Sequence, residues 1–413
     1  FRTTINQFFG GAIALVCGFS VGREGPSVHL GASGSSFFGQ WLKLPHNSIR
    51  ILSGCGIAAG ISASFNTPFA AVIFVMEVVL REYKIHIFIP VMLAAAVGTV
   101  LTRIVFGEAQ ELSFIQFHDF SRWIYLYLIV FGILLGCMAS LFNRSLMAVI
   151  RGFGKINMVR RLLIAGLITG VIGYLLPDSL GAHFHSTHEL IGQYESIQLL
   201  IAIIAAKFLL TIFAIGLGIP GGVIGPVFVI GMLSGVLLTA PLGFFMPDTS
   251  ELHGSFSLLG MAGLMTAVIH APLAALSAVM ELSYSPELIL PTILVIVPAY
   301  VTSTQFLGNS SIFTQQLDYQ KLPYTLSSVM ESLQKTGVLA IINKDFVLFE
   351  DNNEQLISAL DSQPDKTVVQ KTFEDGKVAF SLVEYDTRED EAHRLTFTAM
   401  KGVSFQATLA EVY

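Results

Sequence analysis

Two short stretches, 200 positions apart, carry the residues best suited to chemistry. The first is Gly22-Arg23-Glu24-Gly25-Pro26 and the second is Gly218-Ile219-Pro220-Gly221-Gly222-Val223-Ile224-Gly225-Pro226. Proline suits the first turn of a helix, where its missing N–H removes nothing. Glycines just before it let the backbone approach a bound group closely. A helix that starts there presents unpaired N–H groups and the positive end of its dipole, which together attract an anion. The second stretch holds no cationic side chain, so an anion would sit there on amides and dipoles alone. Such weak binding favours passage over retention.

Glu24 is the odd member, because a carboxylate at a helix N-terminus occupies the place an anion would take. The amides and the dipole favour its ionised form, while burial favours the protonated one. A group held between those pulls can release the site on protonation, which makes Glu24 a candidate gate that competes with a permeant anion. The plainer readings are an interfacial carboxylate beside Arg23 or an N-cap. Glu77 and Glu281 stand at matching places in the two copies, which argues for a structural role against a backbone end or a basic residue. Lys207 lies in an apolar segment and must face protein or water there; a structural ion pair accounts for it. His183, His185 and His188, followed by Glu189, invite a metal. They lack the helical His-Glu-x-x-His spacing and read as a loop after Pro177-Asp178 and Gly181.

The elements that must position these residues belong to a membrane. The chain of 413 residues is 53% hydrophobic and 13% charged, with a net charge of −6 and a mean hydropathy of +0.68. That composition excludes a soluble protein of this length, and no Lys/Arg cluster suggests nucleic acid. Cys17, Cys55 and Cys137 are isolated in apolar runs and read as small buried hydrophobes. No signal peptide is legible, and a first residue other than Met suggests a beginning further upstream. A full span takes about 20 apolar residues. Segments near 87–105, 124–150, 161–176, 195–217 and 286–304 meet or approach that length. Shorter ones run over 7–21, 27–39, 51–65, 68–80, 227–240, 256–269 and 272–283.

Pro68-Phe69-Ala70-Ala71 with Val75-Met76-Glu77 returns, 204 positions on, as Pro272-Leu273-Ala274-Ala275 with Val279-Met280-Glu281. Two related halves of short, Gly/Pro-interrupted apolar segments are the mark of a transporter-type fold with a site near the bilayer midplane. Glycines and alanines such as Gly54, Gly56, Ala58, Ala59 and Gly60 read as close helix packing in lipid. Arg144, Arg151, Lys155, Arg160 and Arg161 lie between two spans and by the positive-inside rule face the cytoplasm. Residues 1–317 therefore read as a membrane domain and 318–413 as a small soluble α+β tail, with a polar turn at Glu374-Asp375-Gly376 and a strand pattern from Val378 to Val383.

These motifs resemble the CLC family of chloride channels and proton-coupled chloride exchangers over residues 7–324. Gly22 to Pro26 matches the family's GREGP signature, Gly218 to Pro226 its second anion-binding segment, and Phe65-Asn66-Thr67-Pro68 and His270-Ala271-Pro272-Leu273 the helix starts that follow. The resemblance implies an all-α integral membrane fold, an inverted repeat of broken and tilted helices, and a homodimer with one pore per subunit. It implies chloride as the transported ion, no cofactor, and a gate at Glu24. It places Gly22, Arg23, Glu24 and Gly25 at the anion path and the backbone N–H groups of Val223 and Ile224 on the central chloride. Phe313 falls where the family usually has a tyrosine, in an alignment anchored by Gly308 and by Leu322-Pro323-Tyr324.

Three departures bear on function. The family's early serine-bearing motif is expected to precede residue 1 and is missing here, so one chloride contact goes unnamed. Phe313 offers no hydroxyl, a loss of about 0.5–1.5 kcal/mol for one hydrogen bond. Val78 follows Glu77 where many exchangers carry a second, proton-accepting glutamate. The tail resembles at most one degenerate CBS-type unit over 343–385. Val78 and Phe313 lean the reading toward passive, channel-like chloride flux of the voltage-gated type, with proton/chloride antiport as the alternative, in a bacterial inner membrane. An organic-anion carrier would want an Arg fork that is not seen. An intramembrane metal-dependent enzyme on the three histidines is the distant alternative. A mere membrane scaffold leaves the paired glycine-proline helix starts without a reason.

Overall fold

A computed structural model describes residues 2–107, 122–181, 196–244 and 252–322, the single residues 120 and 249, and four strands of the tail. By contacts the chain divides into two units, Phe1–Leu42 with Ile49–Thr325 and Lys43–Ser48 with Leu326–Tyr413.

The first unit is helical throughout its described residues. Its helices are α1 (Arg2–Val16), α2 (Glu24–Trp41), α3 (His46–Phe65), α4 (Pro68–Phe74), α5 (Ile85–Phe106), α6 (Arg122–Phe153) and α7 (Met158–Leu175), then α8 (Ile197–Gly216), α9 (Ile224–Leu237), α10 (His253–Ile269), α11 (Pro272–Ser283), α12 (Ile289–Val301) and α13 (Ile312–Tyr319). The boundary expected at residue 317 falls within α13. Among the described residues, seven segments are long and apolar enough to span a bilayer. The stretches read as short at 51–65 and 227–240 are among them, because helix starts already at the polar His46-Asn47-Ser48 in the one and a 3₁₀ turn, Ala240–Phe244, follows α9 in the other.

The repeat is visible in how helices end and meet. Gly18 and Gly218 close α1 and α8 with φ of 77° and 91°. Each is followed by an N–H that reaches back five residues, Phe19 to the Ala14 carbonyl (3.1 Å) and Ile219 to Ala214 (2.9 Å). This is a Schellman ending, in which glycine takes the left-handed conformation at little cost. Gly31 on α2 meets the Gly56 carbonyl on α3, and Gly231 on α9 meets the Gly260 carbonyl on α10; a Cβ at either leading glycine would overlap backbone. Small residues let these helices approach as lipid-embedded helices do. Asn66 and His270 both take positive φ just before Pro68 and Pro272 start α4 and α11.

The two glutamates clasp the halves together. Glu77 accepts the N–H groups of Leu273 (3.2 Å) and Ala274 (2.9 Å) at the start of α11. Glu281 accepts those of Phe69 (2.8 Å) and Ala70 (2.7 Å) at the start of α4. Each carboxylate thus caps the other half's proline-led helix, satisfying orphan N–H groups at its dipole. The halves then diverge by one residue. Glu77 and Glu281 lie 204 apart, but the left-handed residues that end the helices, Arg81 and Tyr284, lie 203 apart. The extra residue is taken up by a π-helical turn, Val75–Leu80, that continues α4. Such one-residue insertions often re-aim side chains at sites of function.

Two expectations need correction. Cys55 is buried, but Cys17 and Cys137 are exposed, since an outer surface that faces lipid has no need to hide a thiol. Lys207 is buried with no carboxylate within 4.0 Å among the described residues, although Asp178 lies close enough to interact with it electrostatically. Its Nζ donates to the carbonyls of Ser179 (3.4 Å), Leu180 (3.4 Å) and Gly181 (3.0 Å), so it ties a chain turn.

The tail carries a four-stranded sheet, β1 (Phe346–Glu350), β2 (Thr367–Glu374), β3 (Lys377–Tyr385) and β4 (Leu395–Ala399), in that spatial order. β1 runs parallel to β2, and the other neighbours are antiparallel. β2 and β3 pair with Glu374 opposite Lys377; the expected turn residues 375 and 376 lie outside the described residues.

Replacing Glu281 by Ala should lower stability by about 1–3 kcal/mol, the range for hydrogen bonds to a charged group. Thermal unfolding of the detergent-solubilised protein would read it, with Glu281→Gln intermediate because its amide oxygen still accepts one N–H. An unchanged midpoint in Glu281→Ala would show that the clasp holds nothing.

Candidate functional site

The two glycine-proline stretches meet directly. Gly22 and Gly222 form an antiparallel bridge, each N–H donating to the other's carbonyl at 2.8 Å. The N-termini of α2 and α9 are thereby held together. α1 supports both stretches. A Cβ at Gly10 would crowd Pro220, and one at Gly11 would overlap Pro26, so this helix lies against both prolines because it lacks side chains there.

Glu24 lies at the junction and is 2% exposed. Its Oε1 accepts the Gly225 N–H at 3.0 Å, and the Ile224 N–H also turns toward the carboxylate. Its Oε2 finds no donor among the described residues. A Cβ at Gly22 would overlap both carboxylate oxygens, and one at Gly222 would overlap Oε1, so glycine at both positions makes the room the carboxylate fills.

A cavity of about 430 Å³ opens beside it, lined by Glu24, Gly25, Gly222, Val223, Ile224 and Phe313 among others. The structure thus gathers most of the residues singled out from the sequence. Arg23 departs from that expectation: it is exposed, and its guanidinium lies 5.8 Å from the centre of the Phe65 ring. That ring in turn sits 5.5 Å from Phe228. Gly22 contributes through its backbone bridge and its lack of a side chain.

Val78, carried on the π-helical turn, lines this cavity and also a second, polar one of about 410 Å³. Glu77, Arg81, His270, Asn309, Ser311 and Thr314 face the second cavity. Arg81 donates to the Thr314 hydroxyl at 3.2 Å, and the His270 ring meets Tyr300 edge-on with centroids 5.2 Å apart. Hydroxyl and amide groups of Ser303, Asn309, Ser311 and Asn143 donate to the last carbonyls of α10, at Ala267, Val268 and Ile269. That end of α10 is therefore closed without a charge.

Sequence reasoning missed two features. Ser20, two residues before Gly22, pairs with Thr211 on α8 through a buried 2.8 Å hydroxyl contact between the halves. Lone hydroxyls in apolar runs gave no signal, because only the tertiary pairing sets them apart. Gln316, one turn after Phe313, also lines the first cavity. The three histidines at 183, 185 and 188 lie outside the described residues. Among the described residues no group of three His, Cys, Asp or Glu is placed to hold a metal.

Opposed helix N-termini around a buried carboxylate, built from two halves of broken helices, define a membrane protein of the anion-handling class. The profile of the voltage gated chloride channel family matches residues 1–304. The chain belongs to that family, and it is an integral multi-pass membrane protein whose family's cargo is chloride, carried without a cofactor. It is 29% identical to the H(+)/Cl(-) exchange transporter ClcA of Cronobacter sakazakii over 320 residues, covering 75% of this chain and 68% of that one. The ClcA of Vibrio vulnificus is 28% identical with the same coverage. Among solved structures, a slow cyanobacterial Cl-/H+ antiporter matches at TM-score 0.71 and 25% identity, over 77% of this chain and 76% of its own. A CLC-type fluoride/proton antiporter matches at TM-score 0.60 and 27% identity, over 69% and 71%.

Thr211→Val should destabilise the protein by about 1–3 kcal/mol, because it strands the buried Ser20 hydroxyl. Thr211→Ser should keep most of the stability. Thermal unfolding of both variants checks this, and equal midpoints for the two would show that the hydroxyl pair contributes nothing.

Proposed function

We propose that this protein exchanges chloride against protons across the membrane, with Glu24 as the group both ions compete for. The observation that carries the reading is the Glu24 carboxylate on the Gly225 N–H, in the space an anion would take at the start of α9. The names of the relatives, which are exchange transporters and antiporters, favour exchange over the passive flux toward which Val78 and Phe313 lean.

The physical sequence follows from charge. Ionised Glu24 holds the amides at the α9 N-terminus and excludes a second anion by repulsion. A proton on its carboxyl removes the negative charge, and the hydrogen bond from Gly225 weakens because it is no longer charge-assisted. Oε2, which faces no donor among the described residues, is the oxygen open to that proton. Chloride then replaces the carboxylate on the backbone N–H groups of Val223 and Ile224. When chloride leaves, the carboxylate returns and gives up its proton. Each occupancy excludes the other, which couples anion movement one way to proton movement the other way. Val78 carries no proton, so water serves as the relay past it.

The same reading makes the protein a transporter rather than an enzyme. It sets the chain in a bacterial inner membrane as a homodimer with one pore per subunit, with residues 318–413 as a cytoplasmic tail built on a degenerate CBS-like unit. The bacterial sources of the relatives support that location.

Chloride efflux from proteoliposomes, recorded together with external pH, tests the assignment. A chloride gradient should drive protons uphill, and Glu24→Gln should abolish proton movement and leave chloride flux independent of pH. Chloride flux with no proton movement in the unaltered protein would return the channel reading. Unchanged proton coupling in Glu24→Gln would remove Glu24 from the mechanism.

A further inference from the structure

The wall of the cavity beside Glu24 is almost bare of side-chain polarity. Its lining is glycine, aliphatic and aromatic except at two positions, Glu24 and Gln316. Glu24 as a carboxylate accepts hydrogen bonds and repels anions. Gln316 is therefore the one side chain among the described lining residues with N–H groups to offer an anion. It stands on α13 three residues after Phe313, and residues so spaced share a helix face. Both side chains reach the same cavity.

Gln316 also has its amide to spare. Its neighbour Gln315 commits its own to structure, donating to Asn309 Oδ1 (3.0 Å) and the Ser310 carbonyl (2.7 Å). The Gln316 side chain makes no such bond within the described residues and is part-buried. The ring of Phe313 cannot donate, so without Gln316 an anion in this cavity would meet no side-chain donor among the described lining residues.

We propose that Gln316 forms a second anion subsite in this cavity, donating its side-chain N–H groups to a small inorganic anion, chloride foremost. It thereby does for this chain what a hydroxyl at position 313 would do. The amide group can rotate to present either end, so it turns its NH₂ to the anion without strain on α13. The proposal rests on the reading of the cavity as a chloride path and adds a side-chain donor to it.

Titration calorimetry of the full chain in chloride-free detergent buffer, with sodium chloride as the probe, tests it. Gln316→Leu keeps the bulk and removes the donors, and should weaken chloride binding by about tenfold, the lower end of the scale for one hydrogen bond to a charged partner. Gln316→Glu should bind more weakly still, because it adds a repelling charge; it decides the matter if Gln316→Leu does not fold. Phe313→Tyr should restore most of the lost affinity in the Gln316→Leu background and gain less in the unaltered protein. Binding as tight as in the unaltered protein in both Gln316 variants, or an equal gain from Phe313→Tyr in both backgrounds, overturns the assignment alone. No chloride binding by the unaltered protein overturns the chloride reading itself, and this subsite with it.

Discussion

Two amide–carbonyl bonds between Gly22 and Gly222 hold the rest of the site in register. They join residues 200 positions apart in the middle of an apolar body, where an unpaired peptide group is expensive. Because the bridge leaves no choice of register, the helix starts that follow it on each strand must face one another. The dipoles of α2 and α9 then point into the same small volume. An anion placed there is stabilised from two sides with no buried cation, and a carboxylate placed there is a substitute for that anion.

The surrounding structure serves that juxtaposition. Gly18 and Gly218 end the preceding helices abruptly enough for the chain to turn into the bridge. Ser20 and Thr211 add a second tie between the halves just before it. Lys207 on the same helix as Thr211 pins the turn at Ser179–Gly181, and the Gly181 N–H reaches the Gly18 carbonyl, so α1's end is held from outside as well. Farther away, Glu77 and Glu281 exchange caps between the halves. The carboxylates of Glu24, Glu77 and Glu281 are each satisfied by backbone N–H groups of the opposite half, which makes the two halves interdependent.

The departures from symmetry are where the halves differ in task. The extra residue in the π-helical turn after α4 puts Val78 between an apolar cavity and a polar one. Its counterpart after α11 remains α-helical. Only the first stretch carries a glutamate, so only one of two equivalent helix ends places a carboxylate at the junction. Repetition builds the paired helix ends, and single-copy residues make the two halves differ.

Spacing and residue type alone revealed the repeat, the membrane domain, the proline-led helix starts and the carboxylate at the junction, because each follows from local rules: proline begins helices, glycine ends them, and apolar length matches a bilayer. The strand over Val378–Val383 in the tail was legible from its alternating pattern. Which long-range partners these elements choose lay beyond that reach. Lys207 could have paired with a carboxylate but bonds carbonyls; the matched glutamates could have met arginines but cap each other's half. Ser20, Thr211 and Gln316 look like ordinary polar residues until the chain closes around them. Arg23, next to Glu24 in sequence, is exposed and lies over the Phe65 ring. Local conformational preference is written in neighbouring residues, whereas hydrogen-bond partnership across 200 positions depends on packing two halves into one volume, and only the closed structure decides it.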